Sequence, residues 1–289
     1  MRINSTGKAL TKQEKRNAKY SKSPFLKEAW RLAKRYEQYF LDNGILTAGT
    51  ISRMKHVELI CELMLSLYQG DVLNKKTALD RVMKADGFDG RQLGKASGMV
   101  VSALNRVRRM FPNLKSTRLR QLTDFYTLAV LIGKFEQSGL ILTNNRHNRL
   151  AWDLLKEFAA KVDEVRMLRK DIKGSAPHQA LYREYLLTVS QTTDDIAQRR
   201  KREAIVSNLI RSLFEKKDTQ RGFSDEQRRI MWNTAASRTC TYAGCRTKLT
   251  WDDFTIDHID PHSRGGKSKL NNAALMCRRH NSSKGNRRG

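Results

Sequence analysis

The C-terminal part of the chain holds two sets of side chains whose types and spacing suit metal chemistry. The first set offers four soft ligands of the kind that bind zinc: Cys240, Cys245, Cys277 and His280. The second set is an acid, an imidazole and an amide, which suit a hydrated cation held against a phosphodiester: Asp257, His258 and Asn281. We therefore expect a structural zinc site beside a phosphodiester-cleaving site.

The spacing of the soft ligands favours one closed zinc site. Four residues separate Cys240 from Cys245, which suits a knuckle that presents two thiolates. Cys277 and His280 are three positions apart, so on a helix they share one face. Two such pairs complete a tetrahedron without an open position, and metal binding would add folding free energy to a small module. The rival interpretation is three free thiols and a surface histidine.

The acid and the imidazole lie on a predicted strand. Residues 254–259 alternate apolar and polar side chains, which is typical of a strand. Asp257 and His258 would face opposite sides of a regular strand, so we expect a turn or bulge to bring them into one cleft. Pro261 predicts an irregular loop, and we expect the helix that carries Cys277 to start at Asn271. The result is a compact ββα unit pinned by zinc.

The charge of the whole chain favours a polyanionic partner. Its 289 residues include 56 Lys and Arg against 29 Asp and Glu, a formal net charge of +27. Such a surplus attracts nucleic acid, whereas the alternative is a merely solvated surface. From residue 224 onward there are 13 Lys and Arg against 6 Asp and Glu, so most of the surplus belongs to the helical part. That part is a candidate DNA-holding surface.

The remaining composition predicts a cytoplasmic protein without a membrane partner. No apolar run approaches the ~20 residues that cross a bilayer, and the first residues lack an apolar signal core. Three of the four cysteines fall in the C-terminal cluster, which favours metal ligation over disulfides. Cys61 lies on the apolar face of a predicted helix and is expected to belong to the core.

The sequence predicts a mainly α fold with three segments. Residues 1–22 are basic, lack apolar periodicity and predict a flexible arm. Residues 23–217 predict an all-helical domain that binds DNA or a partner, and residues 218–289 a small zinc-stabilised ββα-metal domain. Apolar periodicity predicts the following helices: 23–43, 52–69, 90–111, 121–137, 146–168 and 177–190. No strand is expected before residue 239.

The segment 194–216 combines an apolar stripe with dense positive charge. Its basic cluster is Arg199, Arg200, Lys201, Arg202 and Arg211. Such a helix can lie along a DNA backbone, because Lys and Arg neutralise phosphates and release counterions. The alternative is a surface helix beside a linker. Residues 216–222 predict a hinge, and a capping box at Ser224 predicts the start of a short helix.

The segment from Cys240 to Gly285 resembles the zinc-containing type of HNH endonuclease. The family pattern is a Cys pair, Asp-His-Ile-x-Pro, Gly-Gly, an Asn five positions before a Cys, and a Cys-x-x-Cys-Asn/His-x-x-Lys-Gly ending. The sequence follows it with Asp257-His-Ile-Asp-Pro, Gly265-Gly and Cys277-Arg-Arg-His-Asn-Ser-Ser-Lys-Gly. The departure is His280, where the family usually has a cysteine.

The resemblance implies a role for each matching residue. Asp257 falls on the catalytic metal-binding acid and His258 on the general base. Asn272 falls on the central Asn, which braces the loop that orients the histidine. Asn281 falls on the second protein ligand of the catalytic Mg²⁺ or Mn²⁺. Because histidine also binds zinc, we expect His280 in the zinc site, although the alternative is assistance at the catalytic metal.

Basic residues of the module are expected phosphate contacts, with Lys284 at the family's basic position near the helix end: Arg264, Lys267, Lys269, Arg278, Lys284 and Arg287. The resemblance implies a metal-dependent endonuclease that acts on DNA, which we expect to be double-stranded. One active site cuts one strand, so double-strand cleavage would need a second active site or a second nick. The sequence is compatible with a homo- or hetero-oligomer. The alternative function is a nucleic-acid-binding or assembly subunit that does not cleave, or is active only with a partner protein.

A second resemblance covers residues 52–135, which include Tyr68-Gln-Gly-Asp and Leu119-Arg-Gln-Leu-Thr-Asp-Phe-Tyr. They are similar to the helical half of a bacterial defence family whose N-terminal nucleotide-binding domain bears an Asp-Gly-Gln-Gln-Arg motif. That motif is absent from this sequence. The resemblance therefore implies the nuclease subunit of an anti-phage defence or restriction system, with nucleotide hydrolysis on a separate partner subunit.

Overall fold

A computed structural model describes residues 9–73, 75–84, 88–142, 145–168, 179–190 and 193–285. The chain forms two compact units. The first, mainly helical unit comprises residues 1–138 and 149–212, and the second comprises residues 139–148 and 213–289. The first few residues of the predicted arm lie outside the described residues, as do Arg287 and the start of the predicted helix 177–190.

Helices dominate the described part of the first unit, in agreement with the predicted fold class. They are α1 (Lys12–Lys19), α2 (Pro24–Asp42), α3 (Ala48–Ser52), α4 (Lys55–Gln69), α5 (Lys75–Lys84), α6 (Gly90–Met110), α7 (Leu122–Gln137), α8 (Asn145–Leu168), α9 (Ala180–Ser190) and α10 (Ile196–Ile210). The apolar stripes of α2, α4, α6 and α7 pack against one another and form an extensive core. Cys61 is fully buried in this core, as its apolar surroundings predict.

Close packing at the centre of this core depends on one glycine. A Cβ atom at Gly133 of α7 would lie 2.4 Å from Leu67 Cδ2 and 3.1 Å from the Ala103 Cβ. Helices α4, α6 and α7 therefore approach more closely than a larger side chain would allow.

Residues 12–19 differ from the predicted flexible arm, because they form helix α1. Thr11 and Glu14 make a capping box at its start. The Arg16 guanidinium is buried and donates to Asp80 Oδ1 over 2.9 Å, with Glu58 of α4 at 3.7 Å. No apolar stripe predicts this helix, since the side chains that it buries are an arginine and a glutamine.

Two of the five basic residues in the predicted cluster differ from the prediction of a DNA-facing or surface helix, because they are buried. Arg202 is 0% exposed, and its Nη2 donates to the Thr193 carbonyl over 2.7 Å. Arg199 is buried too, with Nη2 2.8 Å from Glu62 Oε2 and 3.0 Å from Asp194 Oδ1. Buried guanidinium groups cannot reach a phosphate backbone. These two arginines therefore stabilise the helical unit from inside.

The second unit holds all the strands that the structure describes, with two helices. Its elements are β1 (Leu140–Ile141), β2 (Glu215–Lys216), α11 (Asp225–Thr234), β3 (Phe254–His258), β4 (Ala273–Cys277) and α12 (Arg278–Lys284). The β1 strand is antiparallel to β2, with Leu140 opposite Lys216. These two-residue strands were not expected before residue 239, because their length is too short for an alternating pattern to appear.

The unit ends in the expected ββα arrangement with one change. Strands β3 and β4 are antiparallel, from Phe254 opposite Cys277 to His258 opposite Ala273. Residues 273–277 are therefore strand, and the prediction that a helix starts at Asn271 is wrong. Cys277 is instead the N-cap residue of α12. No helix among the described residues is long and apolar enough to cross a membrane.

Candidate metal centre and catalytic cleft

The four predicted zinc ligands lie together at one end of the β3–β4 hairpin. One ligand atom from each of Cys240, Cys245, Cys277 and His280 lies within 4.8 Å of the others. Cys240 and Cys245 come from the loop after α11, Cys277 ends β4, and His280 lies in the first turn of α12. The hairpin and the helix therefore meet at this cluster.

The distances within the cluster suit a tetrahedral ion. His280 Nδ1 lies 3.3 Å from Cys277 Sγ and 3.6 Å from Cys240 Sγ. Bonds of about 2.3 Å to sulfur and about 2.0 Å to nitrogen would place such atoms roughly 3.5 Å apart around zinc. The donor set of three thiols and an imidazole also fits zinc chemically. The cluster can thus hold a zinc ion.

The surroundings of the cluster favour its metal-binding form. The Thr247 hydroxyl and backbone amide lower the pKa of the Cys245 thiol to about 6, which favours the thiolate. Burial raises the pKa of Cys240, and metal binding would have to displace that proton. Tyr242 stacks on the His280 ring with centroids 4.3 Å apart, which fixes the imidazole plane.

Asp257 and His258 end strand β3 in a regular register, without the expected bulge. Asp257 pairs with Ala274 and His258 with Ala273. The Asp257 carboxylate contacts α12, whereas the His258 ring contacts the loop residue Ser268. Both residues nevertheless line one cleft of about 370 Å³. The cleft lies where the strand stops, so no distortion of the strand is needed.

Lys284 is not a surface phosphate contact as predicted, because it is buried beneath this strand. Its side chain is only 2% exposed, and Nζ donates to Asp257 Oδ2 over 2.7 Å. The same ammonium donates to the His258 carbonyl over 2.5 Å. Lys284 thus holds the two residues of the predicted catalytic pair from the helix side. A buried ammonium with two such partners cannot also bind a phosphate.

His258 is buried and held on two sides. It is 9% exposed, its Nε2 lies 2.9 Å from Ser268 Oγ, and Phe223 packs against its ring at 4.6 Å. Burial lowers the pKa of His258, and the nearby His262 ring lowers it further against the opposing effect of Asp257. The neutral imidazole, which can accept a proton, is therefore favoured.

Asn272 clamps the loop that follows His258. Its Oδ1 accepts from the Asp260 amide over 2.8 Å, and its Nδ2 donates to the carbonyls of Asp260 (3.1 Å) and Lys267 (2.9 Å). Gly266 lies under this clamp, where an added Cβ would sit 1.7 Å from the Asp260 carbonyl oxygen. The Asn272 side chain therefore connects Asp260 at the start of this loop to Lys267 further along it.

Among the residues that line the cleft, three with basic side chains were not singled out as site residues from the sequence. Lys217 and Arg221 come from the segment interpreted as a hinge, and His262 follows Pro261 in the loop after β3. His262 Nε2 lies 2.9 Å from the Asp218 carbonyl, which joins that segment to the loop. An irregular segment that docks through backbone hydrogen bonds carries no periodic signal, so the fold was needed to find it.

The remaining predicted residues lie around the hairpin. Asn281 is half-buried on α12, one turn before Lys284, and therefore on the same helix face. Arg264, Lys267 and Lys269 are exposed on the loop after the cleft. Lys267 lies 3.3 Å from Glu215, and the exposed Arg278 donates to the Asp252 carbonyl over 3.0 Å.

One comparison with known proteins bears on this unit. Residues 240–287 match the family model described as HNH endonuclease. No curated protein and no solved structure matches the chain. The match does not reach residues 52–135, so their resemblance to a defence family stays a prediction. The matched residues include the four soft ligands, and they also include Asp257, His258, Asn272 and Asn281. The C-terminal segment of the chain is an HNH endonuclease domain.

Proposed function

We propose that this protein is a metal-dependent endonuclease that hydrolyses phosphodiester bonds in DNA, with residues 218–289 as its nuclease domain. The observation that carries the proposal is the cleft in which a buried, neutral His258 lies beside Asp257. A neutral imidazole that can activate water, beside a carboxylate that can hold a cation, suits the hydrolysis of a phosphodiester. The match to the HNH endonuclease family supports the same reaction.

His258 acts as the general base in this proposal. It accepts a proton from a water molecule whose oxygen attacks phosphorus, and the bond from phosphorus to the leaving oxygen breaks. Burial keeps the imidazole neutral, which leaves it able to accept that proton. Asn272 and Lys284 act at a distance, because they hold the loop and the backbone on either side of the base.

Asp257 and Asn281 are the residues that would hold the catalytic cation. Asp257 would share its carboxylate between this cation and Lys284, whose ammonium donates to Oδ2. Oxygen donors select a hard ion such as Mg²⁺ or Mn²⁺ rather than a second zinc. When bound, such an ion supplies positive charge that stabilises the pentavalent phosphorus and the leaving oxygen. The Cys3His cluster, in contrast, would hold a structural zinc.

Exposed basic residues of the proposed nuclease domain suit contacts to a DNA backbone. Arg264, Lys267, Lys269 and Arg278 are the predicted contacts that the structure leaves at the surface. Lys217 and Arg221 join them, because they line the cleft itself. The net charge of +27 adds long-range attraction to the polyanion.

Supercoiled plasmid incubated with the purified full chain tests the proposal. We expect nicking or linearisation with Mg²⁺ or Mn²⁺ and none with EDTA. His258→Ala should lower the rate by roughly 10²–10⁴-fold. The matched acids Asp257→Asn and Asp252→Asn separate the site from the surface, because Asp252 is exposed outside the cleft.

The outcome depends on variants that remain folded and loaded with zinc. Cleavage that persists in both His258→Ala and Asp257→Asn would contradict the assigned residues. Absence of cleavage by the intact, zinc-loaded protein would favour the non-cleaving or assembly-subunit alternative. Zinc content and circular dichroism should be the same in every variant.

We also propose, on the resemblance of residues 52–135 alone, a role in bacterial anti-phage defence or restriction with a nucleotide-hydrolysing partner subunit. Thiols that bind zinc must stay reduced, which favours a cytoplasmic location. Gel filtration with the product of a neighbouring gene would test the partner. Separate elution, together with full cleavage by the chain alone, would contradict it.

A further inference from the structure

The Ser268 hydroxyl lies between two partners that constrain its single proton. Its Oγ is 2.6 Å from the Gln220 carbonyl oxygen and 2.9 Å from His258 Nε2. A carbonyl oxygen can only accept, so at that separation the hydroxyl proton must lie between the two oxygens. Ser268 is 4% exposed, which leaves little room for water to take over either contact.

The hydrogen bond from Ser268 to the Gln220 carbonyl determines the tautomer of His258. Because the Ser268 hydroxyl donates its hydrogen bond to the Gln220 carbonyl, Oγ can only accept from the imidazole. The imidazole Nε2 must therefore carry a hydrogen. A neutral imidazole has one N–H group, and Nδ1 is then the nitrogen with the basic lone pair. Without a fixed hydrogen-bond partner at Nε2, the neutral imidazole would populate both tautomers. In one of them Nδ1 carries the hydrogen and cannot act as a base.

A segment before the family match holds the serine in place. The Ser268 amide donates to Asp218 Oδ2 over 2.8 Å, and Asp218 Oδ1 accepts from the Gln220 amide over 3.0 Å. Gln227 Nε2 donates to the Ser268 carbonyl over 2.8 Å. Asp218, Gln220 and Gln227 all precede residue 240, where the match to the HNH family model begins.

We propose that Ser268, held by the segment 218–220, is a positioning residue that fixes neutral His258 as its Nε2–H tautomer and keeps Nδ1 as the basic nitrogen. The inference rests on the proposed function only for its catalytic consequence. The tautomer itself follows from the donors and acceptors around the ring. The segment 218–220 thereby becomes part of the active site rather than a linker to it.

Nitrogen-15 NMR of the zinc-loaded full chain tests the tautomer without any cleavage assay. At mildly alkaline pH, histidine nitrogens with and without a proton have clearly different chemical shifts. The His258 signals are identified by their loss in His258→Ala. We expect a protonated Nε2 and an unprotonated Nδ1 in the wild-type chain, and averaged shifts in Ser268→Ala. A protonated Nδ1 in the wild type would overturn the proposal.

Cleavage kinetics then test the consequence. Ser268→Ala should lower kcat by about 10–100-fold, the range found for hydrogen-bond partners that orient metal-bound histidines, with little change in KM. Ser268→Thr, which keeps a hydroxyl, should recover most of kcat, and the exposed Ser237→Ala should behave as wild type. Unchanged kcat and unchanged nitrogen shifts in Ser268→Ala would overturn the proposal.

The two measurements separate this proposal from the proposed nuclease function. An Nε2–H tautomer that depends on Ser268, in a chain that does not cleave DNA, would support the positioning role and contradict the nuclease function. Cleavage by a wild-type chain whose His258 is the Nδ1–H tautomer would support the nuclease and overturn the positioning role.

Discussion

The two units of this protein are stabilised in different ways. The helical unit buries large apolar faces of α2, α4, α6 and α7 against one another. The C-terminal unit has a small core built around Leu249, Phe254 and Leu275, and one of its core residues is the metal-ligand candidate Cys240. A core of this size supplies little folding free energy, so we expect the second unit to depend on its metal cluster.

The units also use buried positive charge for different purposes. In the helical unit, Arg199 and Arg202 satisfy acids and carbonyls inside the core. In the C-terminal unit, the buried Lys284 holds the carboxylate and the backbone that form the cleft. Dense positive charge in a sequence therefore does not by itself locate a nucleic-acid surface. Its position relative to the core decides whether it stabilises the fold or is open to DNA.

Zinc removal should have the largest effect, and that effect should be confined to the C-terminal unit. Structural zinc contributes on the order of 10 kcal/mol to the folding of small modules. We expect a strong chelator to unfold the C-terminal unit and to leave the helices of the first unit in place. Fluorescence of Trp232 and Trp251, which pack against Phe254, should report the loss in a background of Trp30→Phe and Trp152→Phe.

Matched cysteine variants provide the control for this prediction. Cys240→Ala should lose zinc, whereas Cys61→Ala should keep it, because Cys61 is buried in the helical core away from the cluster. Simultaneous unfolding of both units on chelation would show that the core of the helical unit is not sufficient to keep that unit folded.

Arg199→Met should destabilise the helical unit by roughly 3 kcal/mol, because it removes the charge that faces the buried Glu62. Its neighbour Arg200 is exposed and pairs with Asp71 at the surface, so Arg200→Met should cost less than about 1 kcal/mol. Urea unfolding followed by far-UV circular dichroism measures both. Equal losses of stability in the two variants would mean that the buried charge of Arg199 contributes no more than an exposed charge. Buried arginine would then not be a source of stability in the helical unit.

Lys284→Met should destabilise the C-terminal unit by about 2 kcal/mol, the worth of hydrogen bonds from a charged group. It should also reduce cleavage, because Asp257 and the His258 carbonyl lose their common donor. Each lysine that contacts a phosphate adds about one to the slope of log affinity against log salt. We expect this slope to be unchanged in Lys284→Met.

The exposed Arg279 on the same helix is the comparison for that variant, since Arg279→Met should leave stability and cleavage near wild type. A clearly shallower salt dependence in Lys284→Met would restore the original prediction that Lys284 contacts phosphate. Both variants should be compared at equal zinc content.

Sequence predicted most of the helical unit and part of the site, for an identifiable reason. The helices α2, α4, α6 and α7 have apolar side chains that recur along one face, and that period is visible in a single sequence. The soft ligands were found because ligand type and spacing are also local properties. In α10, Arg199 and Arg202 are buried together with Ile205 and Ile210 of the predicted apolar stripe, and nothing local showed that these arginines point inward.

The parts of the site that were missed depend on long-range docking. The contact of Ser268 with Gln220 joins residues 48 positions apart through a hydroxyl and a backbone carbonyl. Lys284 and Asp257 come together only because α12 packs against β3. Neither contact has a preferred residue spacing that a sequence could show. We therefore predicted a hinge at residues 216–222 and a surface lysine at Lys284, whereas both hold the residues of the cleft in place.

The smallest predicted effect is on the pH dependence of cleavage. Burial lowers the pKa of His258, so the base stays unprotonated to a pH below the ordinary histidine value of about 6.5. The acid limb of kcat/KM should therefore lie below that value, with activity lost as pH falls through the pKa of His258. His262 lowers that pKa as well, so His262→Gln should move the limb towards higher pH. A shift towards lower pH, measured on the same plasmid substrate, would mean that His262 acts through its contact with the Asp218 carbonyl rather than through its charge.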